Sequence, residues 1–141
     1  MVMDPSVRKI AVTAWKFGSG GLAQELAEQG ELAEAMGFDS FWLPENHFTG
    51  AMAIPSPLML LAAVASRTST IKLGSTSYLL PIRNPILAAE EVAVLDRLSA
   101  GRVILGIGRG FQDAMFKTFK IPKIGRRRVG KECRSRWSPY H

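Results

Sequence analysis

The chain has a single cysteine, Cys133, in 141 residues. No intrachain disulfide can form, so the stapled secreted scaffolds are excluded and a reducing cytoplasm is the expected compartment. Long apolar runs are also missing. The best candidate, residues 57–65, falls well short of the ~18 residues that span a bilayer, so no membrane partner is expected. Residues 1–9 carry charge with no apolar run behind it, which is not the pattern of a signal peptide. Histidine is scarce, two in all, and no metal site is expected. Charged residues make up 21% and hydrophobic ones 47%. That balance can bury a core and excludes a disordered chain.

The net charge of +6 would suggest a nucleic-acid partner if it were spread over a surface. It is not. Residues 1–116 hold nine Lys/Arg against eleven Asp/Glu, and residues 117–141 hold nine against one. A mildly acidic body carries a basic tail. Residues 123–141 show no apolar period, and Arg126, Arg127 and Arg128 stand in a row. This segment has no fold with which to present its charges, so nucleic acid is not the expected partner. Two readings of it stay open: a frameshifted continuation, or a disordered basic tail. The division expected is therefore 1–122 for the folded unit and 123–141 for the tail.

Within the body, strand-like and helix-like segments alternate at roughly 30-residue intervals. Apolar runs at 10–15, 40–43, 71–77 and 103–107 suit buried strands. A helix is expected over 22–36, with Leu22, Leu26, Ala33 and Met36 on one face and Gly37 as its stop. A second runs from Pro57 to about Ser69, with proline suited to its first turn. A third follows Pro85 to about Leu98, with Ile86, Ala89, Val92 and Leu95 near helical spacing. The fourth strand is followed by a glycine-rich turn and no clear helix. Such alternation means a parallel α/β sheet. At about 31 residues per unit, four units make half of a (β/α)8 barrel; an open doubly wound sheet is the alternative.

In either fold, ligands gather at the C-terminal ends of the strands. After the first comes Gly18-Ser19-Gly20-Gly21-Leu22-Ala23, which fits G-x-G-x-x-A; with Glu45 as ribose partner it would make a Rossmann-type NAD-binding domain. After the second comes Glu45-Asn46-His47-Phe48-Thr49. Histidine moves protons near neutral pH, and Glu45 is placed to orient it. A lone loop histidine is otherwise simply solvated. Thr76 and Ser77 put hydroxyls at the third strand's end. Gly108-Arg109-Gly110 follows the fourth; glycines let the backbone approach an anion, and arginine grips a phosphate with two parallel donors.

Taken in order, 37–43 (GFDSFWL), 45–49 (ENHFT), 73–81 (LGSTSYLLP), Asn84-Pro85, 95–102 (LDRLSAGR) and 106–110 (GIGRG) resemble the bacterial luciferase-like flavin-dependent monooxygenases over about residues 8–122. The resemblance implies the first half of a TIM barrel. It also implies an enzyme that uses reduced FMN and O2 to oxidise a small organic, aldehyde-like substrate, with a flavin reductase supplying the reduced flavin. His47 matches the catalytic histidine and Glu45 is its neighbour. Thr76 and Ser77 match a segment that packs on the isoalloxazine and often holds a cis non-prolyl peptide. Arg109, between Gly108 and Gly110, matches an arginine on the flavin phosphate. Two departures stand out: Gly108 replaces a reactive cysteine, and Asn46 stands where luciferases carry a second histidine, so light emission is not implied. A deazaflavin is the alternative cofactor. Four strands leave two unpaired edges, so a homo- or hetero-oligomer is expected, and impaired turnover with it. A flavin-binding half-barrel without catalysis is the other reading.

Overall fold

The computed structural model describes residues 9–14, 22–50 and 53–122. Four strands, β1 (Ala11–Thr13), β2 (Ser40–Leu43), β3 (Lys72–Leu79) and β4 (Val103–Gly108), form one sheet, all pairs parallel, in the order β1-β2-β3-β4. Helices α1 (Leu22–Ala35), α2 (Pro57–Arg67) and α3 (Pro85–Leu98) connect them, and a short α4 (Asp113–Thr118) follows β4. Strand order that never reverses has no switch point. A dinucleotide-binding open sheet needs one, so that alternative is overturned and the arrangement is a run of barrel units. Gly18 and Gly20, the rest of that reading, lie outside the described residues, as do Trp15, residues 1–8 and the tail 123–141.

Register explains which side chains are buried. Residues paired across parallel strands point to the same face. Phe41 pairs with Leu73 and Leu73 with Val103; Phe41 and Leu73 are fully buried in one core with Leu26, Ala33, Leu61, Val64 and Leu95 from the helices. Each of the larger of these side chains contributes about 1.5–3 kcal/mol on burial. Trp42 pairs with Gly74 and Gly74 with Ile104, on the opposite face. There Ile104 is exposed, and the Trp42 indole lies where a Cβ on Gly74 would fall, its Nε1 donating to Ser40 Oγ at 2.8 Å.

The helices form nearly where the sequence places them, but their faces differ. Met36 is exposed rather than part of the buried stripe, because α1 ends at Ala35 in a left-handed Gly37 turn that closes with Gly37 N–H to the Glu34 carbonyl and Phe38 N–H to the Ala33 carbonyl. In α3 the inward residues are Ala88, Val92, Leu95 and then Ser99, while Ile86 and Ala89 face outward. Asn84 caps that helix by accepting from the Ile86 and Leu87 N–H groups. No helix among the described residues is long and apolar enough to cross a membrane.

Candidate functional site

Glu45 and His47 lie just beyond β2, and the backbone between them and α2 closes on itself. Asn46 and Ile54 exchange backbone hydrogen bonds, and Asn46 Oδ1 also accepts from the Ile54 N–H at 2.7 Å and the Thr49 hydroxyl at 3.1 Å. Phe48 takes a left-handed backbone, φ 61°, which few bulky residues adopt. Its ring is exposed while His47 beside it is 6% exposed. The histidine is therefore not a solvated loop residue.

His47 Nε2 and Glu45 Oε1 are 2.8 Å apart. The Glu45 side chain is fully buried, and both its oxygens are engaged: Oε2 accepts from the Leu79 N–H at 2.7 Å, and Oε1 also accepts from Arg83 Nη1 at 2.7 Å. A carboxylate this buried, with both oxygens already engaged inside the fold, is not presented to a ribose, a second reason against the NAD reading. Arg83 reaches further, from Nη1 to the Leu79 carbonyl and from Nη2 to the Pro55 carbonyl, and its guanidinium lies 4.0 Å from the Tyr78 ring centroid. Burial pushes the Tyr78 hydroxyl up to about 12; its hydrogen bond to Glu91 adds to this and the Arg83 charge opposes it. Tyr78 thus stays a neutral phenol near neutral pH.

The Thr76–Ser77 peptide is cis, and the β3–β4 register shifts there, between Thr76 and Tyr78. Thr76 pairs with Gly106 and is exposed; Ser77 is half-buried, with its hydroxyl where a Cβ on Gly108 would fall. Arg109 follows, exposed, and Gly110 has φ 69°. The structure thus brings Thr76 and Ser77 against the Gly108 turn, and it joins His47 and Glu45 to β3 through Leu79. The preceding hydroxyl, Ser75, is not part of this group: it is buried on the helix side and bonded to the Gly106 N–H and carbonyl.

Two contributors have no counterpart among the sequence candidates. Arg83 stands in sequence between two recognised segments, 73–81 and Asn84-Pro85, and only folding brings it to Glu45. Phe119, just after α4, meets the His47 ring edge-on at 5.3 Å and the Phe48 ring at 6.1 Å. The spacing of Met115, Phe116 and Phe119 is helical and was the available signal. Chemically, the C-terminal end of the sheet offers the exposed Thr76 hydroxyl, a guanidinium between glycines of the kind that meets a phosphate, and a buried histidine paired with a carboxylate.

The model of the luciferase-like monooxygenase family matches residues 10–134, running past residue 122. Among curated proteins, the chain is 41% identical over 103 residues to limonene 1,2-monooxygenase of Rhodococcus erythropolis, covering 73% of this chain and 27% of that protein. It is 32% identical over 104 residues to the alkanal monooxygenase alpha chain of Photorhabdus laumondii, covering 74% and 29%. The chain spans less than a third of the length of these two relatives. Among solved structures, the oxygenating constituent of 3,6-diketocamphane monooxygenase from Pseudomonas putida, in complex with FMN, superposes with a TM-score of 0.75 at 25% identity, over 84% of this chain and 34% of that one. The coenzyme F420-dependent tetrahydromethanopterin reductase of Methanopyrus kandleri gives 0.62 at 29%, over 82% and 30%.

Proposed function

Because the chain belongs to the luciferase-like monooxygenase family, we propose that it forms the N-terminal part of a flavin site that uses reduced FMN and O2 to oxidise a small organic, aldehyde-like substrate. One observation carries this reading. Strands β2, β3 and β4 run parallel, so the buried His47–Glu45 pair, the Thr76–Ser77 peptide and the Gly108-Arg109-Gly110 turn all stand at the C-terminal end of the sheet. Arg109 would hold the phosphate with paired charged donors. Thr76 and Ser77 would offer a surface to the flat ring system. His47 would take up or release a proton beside the reacting atoms. Reduced FMN, when bound, supplies the electrons for oxygen chemistry; a separate flavin reductase would deliver it. The F420-dependent relative makes a deazaflavin the second cofactor to test.

Anaerobic titration of the chain with reduced FMN, followed by absorbance, tests the reading against oxidised FMN, reduced deazaflavin and NAD. Preferential binding of reduced FMN is the expected result, with Arg109→Ala weakening it about tenfold or more, as loss of a charged phosphate contact does. Tighter deazaflavin binding would move the cofactor assignment to that branch. Binding of none of the four would reject the site. Given binding, oxygen-dependent oxidation of an aldehyde should fall with His47→Ala while flavin affinity holds. Flavin binding without product would make the chain a non-catalytic flavin binder.

A further inference from the structure

We propose that Arg83 is a positioning residue: acting through Glu45, it fixes His47 in the tautomer whose proton sits on Nε2, leaving Nδ1 as the nitrogen that exchanges protons. The argument begins with the carboxylate. Glu45 has no exposed side-chain surface, and burial alone disfavours a charged carboxylate. Two donors of fixed direction offset that. The Leu79 N–H holds Oε2, and Arg83 Nη1 holds Oε1, bringing a full positive charge within 2.7 Å. Arg83 is itself fixed by the Leu79 and Pro55 carbonyls and by the Tyr78 ring beneath it. An ionised carboxylate only accepts. The third partner of Glu45, His47 Nε2 at 2.8 Å, must then be the donor. In a neutral imidazole one nitrogen donates and the other accepts, so a proton held on Nε2 makes Nδ1 the base. No other hydrogen bond to a described residue holds the ring, which also packs against the Phe48 and Phe119 rings.

Without Arg83 the logic inverts. A buried carboxylate stripped of its cation takes up a proton. It can then donate to Nε2, and the histidine proton moves to Nδ1. Arg83 is thus the residue that decides which nitrogen is basic. A lysine keeps the charge but not the planar fork, so it should restore the tautomer even where it does not restore full stability. The proposal rests on the flavin reading only for the use made of Nδ1; the tautomer belongs to the ligand-free chain.

That separation defines the experiment. Nitrogen-15 spectra of the histidine side chains distinguish the two neutral tautomers directly. The chain has two histidines, so His141→Gln leaves His47 as the single signal. At a pH where His47 is neutral, the expected spectrum of the His141→Gln chain shows the Nε2–H form. Adding Arg83→Met should convert it wholly or mostly to the Nδ1–H form, and Arg83→Lys should return the Nε2–H form. Amide exchange in β3 checks that each variant is folded. If Arg83→Met unfolds the chain, Glu45→Gln serves instead: its amide can donate as well as accept, so it should give a mixture of tautomers. A parent spectrum with the proton on Nδ1 overturns the proposal. So does an Nε2–H form unchanged in folded Arg83→Met. Neither result depends on flavin binding, and failure to bind flavin leaves the tautomer result standing.

Discussion

Glu34 shows how one side chain can tie two elements together. It leaves α1 and reaches the turn before β3, where its carboxylate accepts from the N–H groups of Ser69, Thr70 and Ile71 and from the Thr70 hydroxyl. Partial burial pushes its pKa up, but the donors from Ile71, Thr70 and Ser69 together outweigh that and lower it from 4.5 to about 2. The sign follows: a depressed carboxyl contributes stability that is fully present above 4.5 and is lost as the pH falls towards 2. Glu34→Gln should therefore lower unfolding stability by about 1–3 kcal/mol near neutral pH. Urea midpoints of the two proteins should converge on acidification, and a gap that stays constant down to about pH 2.5 would dismiss the charge argument. None of this network was legible in sequence, since the carboxylate and its donors stand at least 35 residues apart. His47 and Glu45 were legible because they are two residues apart at a strand end. Arg83, 38 residues from Glu45, was not.

Between elements, the contact of α1 with α2 depends on Gly30. A Cβ added there would overlap the Val64 methyl Cγ1, and a β-branched side chain has little freedom to yield. Gly30 is buried in mid-helix, where glycine is about 1 kcal/mol worse than alanine, so proximity of the helices is what it provides. Gly30→Ala should gain that helix propensity and still lower stability by about 1–2 kcal/mol net through overpacking. In a Val64→Ala background the same change should become neutral or stabilising. Thermal unfolding of the four proteins of the cycle measures this, and additivity would show that the two residues do not meet. Element positions were readable from apolar period and from Gly37, Pro57 and Pro85. Faces were less so: α3 is apolar nearly all round, with Ile86, Leu87, Val94 and Leu98 exposed, and period alone cannot choose among its rows. α4 is six residues long, too short for a period to stand out beside the glycine turn.

Across the molecule, the two ends of the sheet do different work. The C-terminal end holds His47, Glu45, Arg83 and the Arg109 turn. The N-terminal end holds networks that only fasten elements together. Arg102 is the centre of one. It is 6% exposed and has no carboxylate partner in its network. Its donors all meet oxygens: Nε the Ser99 carbonyl, Nη1 the Thr68 hydroxyl and Ile71 carbonyl, Nη2 the Ala65 and Thr68 carbonyls. Two of those carbonyls, of Ala65 and Thr68, end α2, where a cation complements the helix dipole and uncapped oxygens are costly when buried. In barrels of this kind, the strand N-termini serve stability and the C-termini chemistry. Arg102→Met should therefore lower unfolding stability by about 3 kcal/mol, because it orphans several buried acceptors at once. The His47 tautomer and the affinity for reduced FMN should stay as in the parent wherever the variant is folded. Equilibrium unfolding, the nitrogen-15 spectrum and the flavin titration on one preparation make the comparison. A folded Arg102→Met chain with an altered His47 spectrum would mean that the two ends are coupled through β3, and the division of labour along the strands would have to be abandoned.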